Sequence, residues 1–251
     1  MNKKDVIGSL GKALSVLECF SADTPRLTIS EAAGLTGLDR AAARRYLISL
    51  EYFGYLESDG KFYRPTIKVL RLGVSSLSSM PLPQIVQPWL DQLSEELQQS
   101  CSVSVLDGDE IVYIARASQK RVMSVGLMPG SRLPAHCTSM GRVLLAYSDS
   151  TIVNELLSNT NLTPLTPYTL SNLDAIKAEL EKVKKEGFAV VDQEVELGLR
   201  SIAIPLYSLQ GNVVAALNTG IPSIIAEPEQ MRKLYLPAMI KFQKGVRRFI
   251  H

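Results

Sequence analysis

The stretch PRLTISEAAGLTGLDRAAARRYLISLEYFGYLESDGKFYRP, residues 25–65, leaves few folds open. Ser30 can cap a short helix over EAAGLTG. Gly37 then makes a turn, and Asp39 can cap a second helix that runs to about Phe53. Gly54 supplies a stop. Two short β-prone runs follow, joined at Ser58-Asp59-Gly60, the signature of a hairpin. Helix, glycine turn, second helix with basic residues in its first turns, then hairpin is the order of a winged helix-turn-helix.

Wound at 3.6 residues per turn, the second helix gathers Ala43, Tyr46, Leu47 and Leu50 on one side. Arg44, Arg45, Ala41 and Ile48 fall on the other, with Arg40 at its edge. Alanines between the arginines clear the way for close approach to a groove. The face admits two readings, a solvated surface or a base-reading surface. In the second, Arg44 and Arg45 pair with guanine edges, while Arg40 and the hairpin's Lys61 meet phosphate. The candidate DNA contacts are therefore Thr28 and Ser30 at the entry to the first helix, then Arg40, Ala41, Arg44, Arg45 and Lys61. Residues 1–65 hold nine basic against eight acidic side chains. So weak a net charge calls for a focused patch and for two half-sites read by a dimer.

The remainder sets bounds. The chain has 251 residues and a formal net charge of +2, which gives no bulk electrostatic pull towards nucleic acid or membrane. Cys19, Cys101 and Cys137 are too few and too scattered for a disulfide framework. No apolar run is long enough to span a bilayer. The start, MNKKDVIGSLGKALSVLECF, is interrupted by Gly8, Gly11, Lys12 and Glu18. It reads as an amphipathic helix over Ser9–Phe20 rather than a signal peptide, which points to the cytoplasm.

Thr66–Ser79 reads as another amphipathic helix, with Ile67, Leu70 and Val74 free to pack on a partner. MPLPQ looks like a joint, so a boundary falls near residue 80. Beyond it come a helix over Pro83–Gln99 and a hairpin across Asp107-Gly108-Asp109. A strand at VMSVGLM leads to a Pro/Gly loop, MPGSRLPAHCT. Next come helices at SMGRVLLAY, TIVNELLS and LDAIKAELEKVKKEGF. Strands near Phe188–Asp192, Ser201–Tyr207 and Val213–Thr219 precede a last helix over Glu227–Phe249. Mixed strands and helices imply an α+β domain.

The loop at Gly130–Ser139 carries Arg132, His136, Cys137, Thr138 and Ser139 and opens a helix. Free N–H groups at such a start suit a carboxylate. Arg132 and Arg200 are either carboxylate partners or structural ion pairs. His136 is either a loop hydrogen-bonder or an effector contact.

Four segments, SLGKALSVLECF, TISEAAGLTGLDRAAARRYLISLEYFGYLE, GSRLPAHCTSMGRVLLA and EGFAVVDQEVELGLRSIAIPLYSLQGNVVAALNTGIPS, together resemble the IclR-type family of bacterial transcriptional regulators. GSRLPAHCTSMGRVLLA and ELGLRSIAIP are most similar to the branch controlling protocatechuate and 4-hydroxybenzoate breakdown. The resemblance implies an α+β chain with a winged helix-turn-helix at 1–65, a linker helix at 66–80 and a GAF-like effector domain at 81–251, its antiparallel sheet flanked by helices. It implies palindromic promoter DNA as partner, a small organic acid as effector and no cofactor. It also implies self-association as a dimer or dimer of dimers, with RNA polymerase as a further partner if the regulator activates. By the same resemblance Leu133, Ser139, Met140, Val191, Ser201, Asn218 and Gly220 fall at ligand-contacting positions. The chain departs from the commoner pattern. Ser201 replaces a frequent cysteine, Asn218 and Gly220 replace serines, and Val191 is apolar where some members carry an acid. Apolar Val191 and polarisable Met140 leave room for a ring, which favours an aromatic acid over a short aliphatic one.

Two rivals come from other classes. His136-Cys137 invites an enzyme with a thiol nucleophile, although sequence neighbours seldom align as base and nucleophile. A winged helix that binds only protein is the other. Zinc lacks ligands at workable spacing, since His136 and His251 are the only histidines.

Overall fold

The computed structural model describes residues 5–21, 23–119 and 126–250. The chain divides into two compact units, with the division between Ser79 and Met80.

The first unit opens with α1 (Gly8–Glu18), α2 (Ile29–Thr36) and α3 (Arg40–Tyr52). Strands β1 (Leu56–Ser58) and β2 (Tyr63–Pro65) form the wing, and Leu27 adds a bridge to Tyr63. Val16, Ala32, Leu47, Leu50 and Leu56 close the core. The cap of α2 is Thr28, not Ser30. Thr28 Oγ1 accepts from the Glu31 N–H while Glu31 Oε2 accepts from the Thr28 N–H, a reciprocal capping box. The bridge at Leu27 holds the chain extended as it enters Thr28, so the helix begins one residue before Ser30. Gly37, at φ 68°, takes the left-handed turn that frees α3 to start anew. Asp39 Oδ1 caps it by accepting from the Ala42 N–H at 2.9 Å. The wing loop is longer than Ser58-Asp59-Gly60. Asp59 Oδ1 accepts from both Lys61 and Phe62 N–H groups, which delays the return strand to Tyr63.

Residues 66–79 are not one α-helix. A 3-10 turn at Ile67–Val69 precedes α4 (Leu70–Ser79), because Thr66 and Lys68 are tethered to the carbonyls of Gly54 and Phe53.

The second unit is a six-stranded antiparallel sheet in the order β5-β4-β3-β8-β7-β6. The strands are β3 (Ser100–Asp107), β4 (Glu110–Ala117), β5 (Arg132–Pro134), β6 (Ala189–Asp192), β7 (Leu199–Tyr207) and β8 (Val213–Pro222). Helices α5 (Pro81–Leu97) and α9 (Pro228–Arg247) cover one face, burying Val86, Leu90, Met239 and Phe242 against Val103, Ile202, Ile204 and Leu217. Helices α6 (Ser139–Tyr147), α7 (Ser150–Asn159) and α8 (Leu173–Glu186) cover the other, over Tyr113, Ala203 and Ala216. Burial on both faces explains why the centre of β7 reads as a nearly unbroken apolar run. The division between the units falls where MPLPQ begins, and its prolines occupy the first turn of α5, where N–H groups are not needed. The expected loop at MPGSRLPAHCT contains β5, paired to β4, and a 3-10 turn at Ala135–Cys137. Most of the VMSVGLM strand lies outside the described residues, and Gly126–Met128 is not strand. Gly141 lets α6 sit directly on that 3-10 turn, because a Cβ there would collide with the Ala135 carbonyl.

Candidate functional site

The first unit presents a charged face. Ala43, Leu47 and Leu50 are buried, while Arg40, Ala41, Arg44 and Arg45 are exposed. Among the described residues no carboxylate forms an ion pair with those three arginines. Arg45 also lines a groove with Ser9 of α1 and Tyr46. On the wing, Lys61 lies 5.0 Å from the centre of the Phe62 ring and Arg26 lies 4.4 Å from it. Arg26 was not singled out from the sequence, where nothing marks it as a wing residue. Arg64 is engaged by Glu57 at 2.7 Å. Ser30 is exposed on the first turn of α2, and the Thr28 hydroxyl serves as its cap.

In the second unit, a cavity opens between the sheet and the start of α6. Its space, opening to solvent included, is about 490 Å³. Leu133, Thr138, Ser139, Met140, Ser201, Asn218 and Gly220 all line it, as do Ser100, Tyr113, Arg116, Leu127, Val195 and Leu199. Strand register explains the floor. Arg116 on β4 stands opposite Ser102 on β3, which stands opposite Asn218 on β8. Ser100, Gly220 and Ser201 form the next row. Cross-strand neighbours share a face, so polar groups collect there.

Arg116 is the cation of this cavity. Its Nη1 donates to Ser102 Oγ at 2.9 Å, and among the described residues no carboxylate pairs with it. Burial lowers its proton affinity, because a desolvated guanidinium lacks the hydration that favours its charge. Burial likewise pushes the Tyr113 phenol up to about 12, so it remains protonated. At the start of α6, Thr138 Oγ1 caps the helix by accepting from the Gly141 N–H. Ser139 Oγ is buried, its residue 1% exposed, with no hydrogen-bond partner among the described residues. Ser104 Oγ donates to Met140 Sδ, which holds that side chain against the floor.

Four expected contacts lie elsewhere. Arg132 is on the edge strand, paired with Glu110 at 2.6 Å and Asp107 at 2.8 Å, two bonds that strengthen its hold on its proton. Arg200 and Ser201 are adjacent on a strand and so face opposite sides. Arg200 ties β7 to Asp192, Glu227 and the carbonyls of Ser223 and Ala226. Val191 shares the face of Ser201 but sits one strand further out, buried outside the lining. Val195 and Leu199 supply the apolar wall instead. The His136 ring is buried with neither nitrogen partnered among the described residues, and burial with the neighbouring Arg142 favours its neutral form. It is thus neither a loop hydrogen-bonder through its ring nor a cavity contact. Burial pushes the Cys137 thiol up to about 12, and its Sγ faces the Pro134 carbonyl. A thiol that holds its proton is a poor nucleophile.

Residues 9–60 match the family model described as the IclR helix-turn-helix domain, and residues 74–242 match the bacterial transcriptional regulator IclR C-terminal domain. The Pca regulon regulatory protein of Pseudomonas putida is 42% identical over 237 residues, which is 94% of this chain and 81% of the relative. The p-hydroxybenzoate hydroxylase transcriptional activator of Acinetobacter baylyi is 37% identical over 241 residues, 94% of this chain and 89% of that one. The inducer-binding domain of PobR from Acinetobacter, solved as a double mutant in complex with 3-hydroxybenzoic acid, superposes with a TM-score of 0.64. It is 32% identical, covering 68% of this chain and all of that chain. These relatives are named as regulators of transcription, which sets the enzyme reading aside. No helix among the described residues is long and apolar enough to cross a membrane.

Proposed function

The chain belongs to the IclR family of bacterial transcriptional regulators, and from that premise we propose that it controls aromatic-acid catabolic genes in response to a hydroxylated aromatic carboxylate. The single observation that carries this reading is Arg116, a half-buried charge with no carboxylate partner among the described residues, on the floor of a cavity with apolar walls. A carboxylate there would neutralise the guanidinium bidentately. The unpartnered Ser139 hydroxyl, able to donate and accept, suits a phenol on the same ligand. Tyr113, Leu127, Leu133, Met140, Val195 and Leu199 suit the ring. The relatives support the class, since one is named for p-hydroxybenzoate hydroxylase and another was solved with 3-hydroxybenzoic acid.

In this reading residues 1–65 bind promoter DNA in the cytoplasm, 66–80 link, and 81–251 bind effector and self-associate. Thr28, Ser30, Arg40, Ala41, Arg44, Arg45 and Lys61 meet the DNA. Self-association draws support from apolar side chains that the chain leaves uncovered, Ile7 and Leu10 at the start of α1, Ile67 in the 3-10 turn, and Leu70 and Val74 on α4. Effector binding shifts the spacing of two recognition helices only if it favours one arrangement over another.

Calorimetric titration against 4-hydroxybenzoate, 3-hydroxybenzoate, protocatechuate and a set of short dicarboxylates tests the assignment. Saturable binding of a hydroxybenzoate is expected. Tight binding of a dicarboxylate with no response to any aromatic acid would replace it with the short-acid reading. Sedimentation of wild type against a variant with Ile67, Leu70 and Val74 changed to Glu tests association, and an unaltered mass would remove α4 from the interface.

A further inference from the structure

Arg142 is among the largest side chains buried in the molecule, and it does not line the cavity. It sits one helical turn beyond Ser139 on α6. Its Nη2 lies 2.7 Å from Glu194 Oε2, with the two side chains only 2% and 8% exposed. Its Nε donates to the His136 carbonyl at 3.1 Å. Glu194 in turn immediately precedes Val195, a wall of the cavity.

The loop that carries Val195 has no strand pairing of its own between Gln193 and Gly198. Polar bonds hold it instead. Glu194 Oε2 also accepts from the Leu170 N–H at 2.9 Å, and its carbonyl accepts from Thr169 Oγ1 at 2.6 Å. The Gln193 carbonyl accepts from Thr166 Oγ1 at 2.6 Å. Gln193 itself sits at φ 58°, a left-handed conformation that a non-glycine residue adopts only when its surroundings impose it. Its side chain bonds the Gly198 N–H at 2.9 Å.

A buried ion pair is a poor way to gain stability, because desolvation offsets most of the attraction and apolar residues of like volume do as well. What such a pair can enforce is one distance and one orientation. Here it joins the first turns of α6, which hold Ser139 and Met140, to the loop that holds Val195 and leads to Leu199. Those are facing contributions to one cavity. We propose that Arg142 and Glu194 are positioning residues that fix the separation of the cavity's two walls and thereby set which effector isomers fit. The selectivity clause rests on the cavity's being the effector site. The wall-fixing clause does not.

The test uses the full chain carrying Arg142→Met with Glu194→Gln, which removes both charges and keeps an acceptor for the Leu170 N–H. Calorimetry against 4-hydroxybenzoate and 3-hydroxybenzoate measures the isomer preference. Amide hydrogen exchange without ligand measures the walls. The preference of the wild type is expected to fall on the order of tenfold, the scale on which a loosened site ceases to discriminate close analogues. Exchange is expected to speed up at 165–170 and 193–199, with β3, β4, β7 and β8 still protected. An unchanged preference overturns the selectivity clause. Exchange that rises evenly over the sheet, or not at all, overturns the positioning role. Should the wild type bind neither isomer, the aromatic-acid reading fails, and exchange alone decides the pair. Should the double variant not fold, Arg142→Lys, which keeps the charge but loses the fork, takes its place under the same outcomes.

Discussion

Arg116 brings a partly desolvated positive charge to a cavity whose described lining holds no carboxylate. Replacing it with Met removes the charge and leaves most of the volume. A hydrogen bond to a charged group contributes about 1.5–3 kcal/mol, so effector affinity is expected to fall by roughly ten- to a hundredfold, with operator affinity intact, by calorimetry and fluorescence anisotropy. Arg116→Lys should recover part of the loss, because an ammonium keeps the charge without the bidentate fork. The cysteines make a second residue-level case. Burial pushes the Cys101 and Cys137 thiols up to about 12. Iodoacetamide at pH 8 should therefore label Cys19, the partly exposed one, well before the other two, as read by peptide mass. The same shifts carry a sign for stability. The folded chain keeps protons that the unfolded thiols release near their ordinary pKa of 9. Their contribution is thus complete below that pH and is lost as pH rises from there towards 12.

At the scale of elements, α2 shows how local chemistry and tertiary context divide the work. Either Thr28 or Ser30 is an acceptable cap by residue type. Glu31 lies three residues beyond Thr28, the spacing of a capping box, yet the cap read from sequence falls at Ser30. The bridge from Leu27 to Tyr63, which sets the entry angle, is not legible in the sequence. Thr28→Ala should cost about 1 kcal/mol in chemical denaturation, while Ser30→Ala on the exposed first turn should stay within about 0.5 kcal/mol. Equal losses would mean that the box does not set the start of α2. The same division explains residues 66–79. Their apolar period indicated a helix, but side-chain tethers to Gly54 and Phe53 impose the tighter 3-10 turn at its start.

For the whole molecule, the arginines of α3 and the cavity should be separable. Arg44→Ala and Arg45→Ala are each expected to cost about 1–3 kcal/mol on a specific site and to relax its sequence preference. Arg40→Ala should instead weaken binding evenly across sequences and reduce the salt slope by about 0.9. The probe is a duplex of the intergenic DNA beside the gene, with a scrambled duplex as control. Unchanged discrimination in both base-contact variants would move recognition off α3. In all three, hydroxybenzoate affinity should stay at the wild-type level. A parallel loss would indicate misfolding rather than a lost contact.

The sequence by itself determined the two-part organisation, the helices and hairpin of the first unit, the outward set of the arginines and the family. These depend on periodicity, turn residues and segment order, all of which are local. It also brought six of the residues that line the cavity, from Leu133 to Gly220, through resemblance to the family, and Thr138 through the loop that opens α6. Only the tertiary structure decided the rest. Arg116 looks like any polar residue in an alternating strand, and Arg132 and Arg200 look like equally good anchors. What separates them is strand order and face. β4, β3, β8 and β7 lie side by side, so residues over a hundred positions apart form single rows, and a one-residue step along β7 sends Arg200 to the opposite face from Ser201. A linear sequence carries the alternation of a strand but not which neighbour it pairs with or which side becomes the cavity. That is why the charge that best suits an effector emerged only once the sheet was assembled.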